Sequence, residues 1–144
     1  MQLSKRTQYG IRALICFADA YEGGFLQAKE LSAREKLPPK FLESILHALT
    51  RAKFLTSKIG ANGGYRLARD PKNITLGDII ARLEERQFDE QDPAPPNERP
   101  GEAAVRRVQG KLEEAVHKVL SSTTLADLAD EVSQQTRTGQ MYYI

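Results

Sequence analysis

The sequence predicts a mainly α-helical chain with one small β-hairpin, and three observations carry that expectation. Apolar residues recur at helical spacing along most of the chain, first near residues 4–21 and last near 124–134. Strand-like alternation is confined to "FLTSKIG" and "GYRLAR", which flank a turn holding Gly60, Gly63 and Gly64. A stretch with four prolines and six charged residues, 86–100, then sets off a second helical part. A length of 144 residues, 40% hydrophobic and 28% charged, suits one packed domain with an appended element.

Ser4 is placed to cap a first helix running to about Tyr21. That helix has one apolar line in Ile11, Leu14, Ile15 and Ala18 and a second in Tyr9, Ala13, Cys16 and Ala20. A helix apolar on two faces must be covered on both, and the long helix of the same or a partner chain is the expected cover. "EGGF" at 22–25 ends it, and 27–35 forms a short second helix with Ala28 and Leu31 inward. Pro39 then sits near the first position of a third helix, about 39–53. Its core stripe is Leu42, Ile45, Leu46 and Leu49; opposite lie Lys40, Ser44, His47 and Arg51, with Glu43 to one side. After the hairpin, Thr75 and Asp78 resemble a capping box opening a helix with Leu76, Ile79, Ile80 and Leu83 inward. Beyond the prolines, Val105, Val108, Leu112, Val116 and Val119 form a heptad-like seam on a helix over about 102–120. Thr124 and Asp127 open a short last helix bearing Leu125, Leu128 and Val132. The organisation is therefore a domain over 1–85, a Pro-rich mobile loop over 86–101, the long and short helices over 102–134, and a tail over 135–144.

Charge narrows the function. Residues 1–85 carry 14 Lys and Arg against 9 Asp and Glu, whereas 86–144 carry 7 against 10. A basic front half points to a polyanion. The single cysteine, Cys16, excludes an internal disulfide framework and any CxxC metal pattern. No apolar run reaches the ~18 residues of a membrane span and no signal-peptide pattern opens the chain, so a soluble cytoplasmic protein is expected.

"KIGANGGYRLAR" at 58–69 poses the sharpest choice. A Gly-rich loop edged with Lys58, Arg66 and Arg69 suits a nucleotide phosphate or a hairpin tip lying along a nucleic-acid backbone. A phosphate loop of the Walker type needs Gly-Lys-Ser/Thr entering a helix, and here the glycines lead into an alternating strand. No βαβ unit surrounds them either. The hairpin reading stands, with Gly and Asn supplying the positive φ of its turn.

Helix, short helix, turn, polar-faced helix and basic hairpin is the order of a winged helix-turn-helix, with the third helix in the major groove and the hairpin on the backbone or minor groove. Candidate DNA contacts follow from residue type. Glu43 and Ser44 are placed to read base edges, Glu accepting from cytosine N4. Lys40 and Arg51 neutralise phosphates or read guanine, and Pro39 begins the helix. His47 is either a groove contact or an exposed helix residue. Lys58, Asn62, Tyr65 and Arg66 are the wing candidates over 58–66, with Tyr65 equally suited to anchoring the hairpin. Ser4, Lys5 and Lys29 lie near helix starts, where phosphates are favoured.

The stretches "LSKRTQYGIRAL", "AKELSAREKLPPKFLESILHALTRAKFLTSKIGANGGYRLAR" and "ITLGDIIARLE" closely resemble the Rrf-two (Rrf2) family of bacterial transcription regulators, over about residues 2–85. The resemblance implies a homodimer joined by a long C-terminal helix and bound to a near-palindromic operator on double-stranded DNA, with a repressor as the expected mode. The seam at 105–119 fits such a dimer on its own account. Many members hold an iron–sulfur cluster on three cysteines between the fourth helix and the long helix. This chain has no cysteine in that segment, and Phe41 replaces a common Tyr. No cluster or other cofactor is expected, which leaves the effector, small molecule or protein, open.

No nucleophile–His–acid constellation and no metal-ligand spacing point to an enzyme. The rival class is a winged helix that contacts only protein; a steep salt dependence of duplex binding separates the two. His117 reads as a surface or dimer residue, and Cys16 as a small core residue.

Overall fold

A computed structural model describes residues 2–84 and 93–141. Six helices and one hairpin follow in the order α1 (Lys5–Asp19), α2 (Ala28–Glu35), α3 (Pro39–Arg51), β1 (Leu55–Lys58), β2 (Gly64–Leu67), α4 (Leu76–Leu83), α5 (Pro100–Ser122) and α6 (Leu125–Met141). The mainly α fold with a small hairpin is as expected. A 3₁₀ turn at Pro71–Asn73 links β2 to α4, and the Asp70 side chain caps it.

The local signals act as the residue chemistry requires. Ser4 Oγ accepts from Thr7 N at 3.2 Å and caps α1. Thr75 and Asp78 exchange both hydrogen bonds of a capping box, 3.0 and 3.1 Å. Thr124 and Asp127 do the same before α6, at 2.9 and 3.1 Å. Pro39 occupies the first turn of α3, where its missing N–H costs nothing.

The core is shared by α1, α3, α4 and the hairpin. Leu42, Ile45, Leu46 and Leu49 of α3 are buried, with Leu14 and Phe17 of α1, Ile79 and Leu83 of α4, and Phe54, Leu55 and Leu67 around the strands. Each such side chain contributes about 1.5–3 kcal/mol through burial. On α1, Tyr9 meets Phe41 of α3 edge-on, ring centroids 5.5 Å apart, and Arg12 binds Glu35 of α2 at 3.2 Å. These contacts hold the helix-turn-helix angle from the α1 side.

Both faces of α1 are covered within the chain, and by an element other than its own long helix. α6, not the long α5, packs on α1. Ala129, Val132, Ser133 and Thr136 line a small cavity with Ile15 and Cys16. α6 is also long, running 17 residues to Met141 rather than ending near 134. The segment expected as a tail is therefore helical through Met141, and 142–144 lie outside the described residues.

α5 starts at Pro100 and packs against α4 near its C-terminal end. A Cβ on Gly77 would sit 3.2 Å from the Leu120 carbonyl oxygen, so the absent side chain permits that approach. The junction is tied by backbone: Leu76 N donates to Thr123 O and Leu125 N to Ile74 O, both 2.8 Å. Of the Pro-rich loop expected over 86–101, residues 86–92 lie outside the described residues. Its later part is anchored on α5 through Glu98, whose carboxylate takes two hydrogen bonds from Arg106 at 2.7 and 3.0 Å.

Candidate nucleic-acid interface

α3 presents two faces of opposite character. Its four large aliphatic residues are buried, while Lys40, Glu43, Ser44, His47 and Arg51 are exposed. Thr50 is half-buried, and its hydroxyl donates to Leu46 O of the same helix at 2.7 Å. Lys40 and Arg51 enter no ion pair among the described residues. Their charge is free for an external anion.

The first turn of α1 reaches this face. Arg6 Nη1 donates to Ser44 Oγ at 3.3 Å, which places a guanidinium beside the middle of α3. Sequence reasoning selected Ser44 but missed Arg6, although the adjacent Lys5–Arg6 pair was the available signal. Lys5 is exposed. Ser4 has its hydroxyl engaged in the cap, and its N–H donates to Glu84 Oε2 at 3.1 Å. A carboxylate thus already stands at this helix N-terminus. Lys29 is exposed in the first turn of α2, whose N-cap residue Gln27 makes no side-chain cap.

Gln27 is used elsewhere. Its Nε2 donates to Ala61 O in the hairpin turn at 3.0 Å. Beside it, Leu26 and Tyr65 exchange two backbone hydrogen bonds of 2.8 Å, so the segment before α2 runs antiparallel to β2 as a one-residue third strand. This pairing was not legible in the sequence. Gly60 and Gly64 adopt the positive φ foreseen for the turn, at 120° and 132°, but Asn62 does not. Gly64 is further constrained, because a Cβ there would meet Leu26 O at 2.4 Å.

The register Thr56↔Arg66 and Lys58↔Gly64 puts Thr56, Lys58 and Arg66 on one face of the hairpin. Leu55 and Leu67 pair on the other and are buried. Tyr65 is half-buried on that inner face and Asn62 is exposed at the turn. Lys58 and Arg66 both lie over the ring of Phe25, 5.7 and 4.6 Å from its centroid. Ile59, also missed in the sequence, is wholly exposed between Lys58 and Gly60.

A third exposed surface lies on α5. None of its residues is buried; Val105, Val108, Leu112 and Val119 are 54–60% exposed, and Val116 is half-buried. The two histidines, His47 on α3 and His117 on α5, stand on separate elements.

Known proteins share this arrangement. Residues 3–131 match the Rrf2 family model, described as an iron-dependent transcriptional regulator. The HTH-type transcriptional regulator CymR of Bacillus subtilis is 34% identical over 146 residues, covering all of both chains. Protein rrf2 of Nitratidesulfovibrio vulgaris is 33% identical over 137 residues, covering 92% of this chain and 90% of that protein. Among solved structures, CymR, the global cysteine regulator of B. subtilis, superposes with a TM-score of 0.80 at 33% identity, covering 91% of this chain and 98% of that one. T. potens IscR does so with a TM-score of 0.74 at 30% identity, covering 92% and 88%.

The family description implies iron, and the donor set of this chain does not fit an iron–sulfur cluster. Such a cluster needs several thiolate or imidazole ligands converging on the metals. The chain has one cysteine, Cys16, and it is packed in the core, where burial pushes the thiol pKa up and favours the neutral form. Among the described residues no three His, Cys, Asp or Glu side chains converge on a metal-sized space.

Proposed function

Because this chain belongs to the Rrf2 family and is a DNA-binding transcriptional regulator, we propose that it acts as a homodimeric repressor on a near-palindromic operator. α3 enters the major groove, where Glu43 and Ser44 read base edges and Lys40 and Arg51 meet phosphates or guanine. The wing residues Lys58, Asn62 and Arg66 follow the backbone or minor groove, and Lys5 and Lys29 neutralise flanking phosphates. Arg6 joins this set through its hydrogen bond to Ser44. The family match favours this reading over a winged helix that contacts only protein.

The observation that carries the dimer is α5. A 23-residue helix with an exposed line of valines and a leucine is an incomplete structure until a second copy covers it. Two-fold pairing of that line makes the same residues meet on both chains, and operator symmetry follows from protein symmetry. Repression is the simplest output, since a seated dimer excludes other proteins from the same duplex. No described helix is long and apolar enough to cross a membrane. Its work on DNA makes the cytoplasm the place of action.

Light scattering at micromolar protein should give twice the chain mass, and footprinting should protect two half-sites about one helical turn apart. A monomer that protects a single asymmetric site refutes the dimer. We further expect the regulator to work without a cluster. Protein purified without oxygen should be colourless, free of acid-labile sulfide and able to bind its operator. Stoichiometric iron and sulfide, lost in Cys16→Ala, overturn that expectation. The signal then comes from a small molecule or a partner protein.

A further inference from the structure

The wing carries two cations on one face, and a single aromatic ring lies beneath both. The antiparallel bridge Leu26↔Tyr65 sets Phe25 beside Arg66, in the same cross-strand row as Thr56. Lys58 stands opposite Gly64, which has no side chain to block the path across β2. The Arg66 guanidinium carbon and the Lys58 ammonium nitrogen therefore reach the same half-buried ring, at 4.6 and 5.7 Å. Two like charges on neighbouring strands repel, and the negative face of an aromatic ring offsets that repulsion. Neither cation is tied to a carboxylate among the described residues, so both charges stay available. Phe25 itself is held by the hydrogen bonds of Leu26 and Gln27 to the hairpin.

We propose that Phe25 is a positioning residue for nucleic-acid binding: its ring holds Lys58 and Arg66 in fixed places on the wing before DNA arrives. The inference rests on the DNA-binding reading and deepens it. Long cationic side chains otherwise lose rotamer freedom on meeting a phosphate. The ring removes part of that loss in the free protein, and only an aromatic side chain does so. A leucine fills the same apolar space without a π face.

The test uses the full chain and a mixed-sequence 30-base-pair duplex, with affinities measured across a salt series. Phe25→Leu should weaken binding by about three- to tenfold, the scale of one or two exposed cation–π contacts. Phe25→Tyr should restore wild-type affinity. In a chain already carrying Lys58→Ala and Arg66→Ala, Phe25→Leu should change nothing further. The upfield ring-current shifts of the Arg66 and Lys58 side-chain protons, seen by NMR without DNA, should vanish in Phe25→Leu and persist in Phe25→Tyr. Equal losses with and without the two cations make Phe25 a packing residue only and overturn the proposal. So does unchanged affinity in Phe25→Leu, with the DNA-binding reading intact. A wild-type chain that binds no duplex at all overturns both.

Discussion

In the proposed complex single residues on α3 and the wing have different work, and substitutions separate them. Glu43 is exposed near the start of α3, and its carboxylate accepts but cannot donate. Glu43→Ala should relax preference at one base pair of each half-site, by about 1–3 kcal/mol, read by competition among operator variants. Lys58→Ala or Arg66→Ala should instead weaken binding to every sequence and lower the salt slope by about one for each phosphate left without its cation. An affinity and slope unchanged by the wing substitutions make the hairpin a structural element. Both roles are proposals from residue type and spacing, and the structure leaves all three side chains exposed. The Arg6 contribution was not legible in this way, because its link to Ser44 spans 38 positions and depends on how α1 crosses α3.

At the scale of elements, the short-range chemistry was legible and the long-range cover was not. Caps at Ser4, Thr75 and Thr124 lie within a few positions of their partners, so the sequence displays them directly. The length of α6 was hidden, because after Val132 it continues as "SQQTRTGQ", with no apolar line to follow. Its backbone stays helical while Thr136 and Thr138 donate back to Val132 O and Gln134 O at 3.0 and 2.9 Å. Helix ends show a second feature that was not foreseen. Lys36 after α2 and Lys53 after α3 have φ of 53° and 64°, the left-handed region that favours glycine. Lys53→Gly should stabilise the chain by about 0.5–1 kcal/mol, seen as a higher denaturant midpoint at unchanged slope. A lowered midpoint shows that the lysine stem packs there more strongly than its backbone is strained.

Across the whole molecule, the proposed dimer turns on the exposed line of α5. Leu112→Asp places a charge at the centre of that line and should shift the dimer to monomer, read by light scattering. Operator affinity should fall with it, while the far-UV circular dichroism of the full chain keeps its helical intensity. The first helix shows where whole-molecule reasoning from sequence stops. Its two apolar stripes showed correctly that both faces are covered, yet two candidate helices followed and periodicity alone does not choose between them.

The backbone ties at Ile74, Leu76, Thr123 and Leu125 make one end of α5 a fulcrum. From there the helix extends as a lever about 34 Å long, so a turn of about 5° sweeps its far end through about 3 Å. That sweep is close to the roughly 3.4 Å rise of one base-pair step. In the proposed dimer, paired through α5, the stiffness of this junction bears on the distance between the two α3 helices. One base pair added between half-sites lengthens their span by about 3.4 Å and also turns one about the duplex axis by roughly 35°, so the junction would meet a twist as well as a sweep.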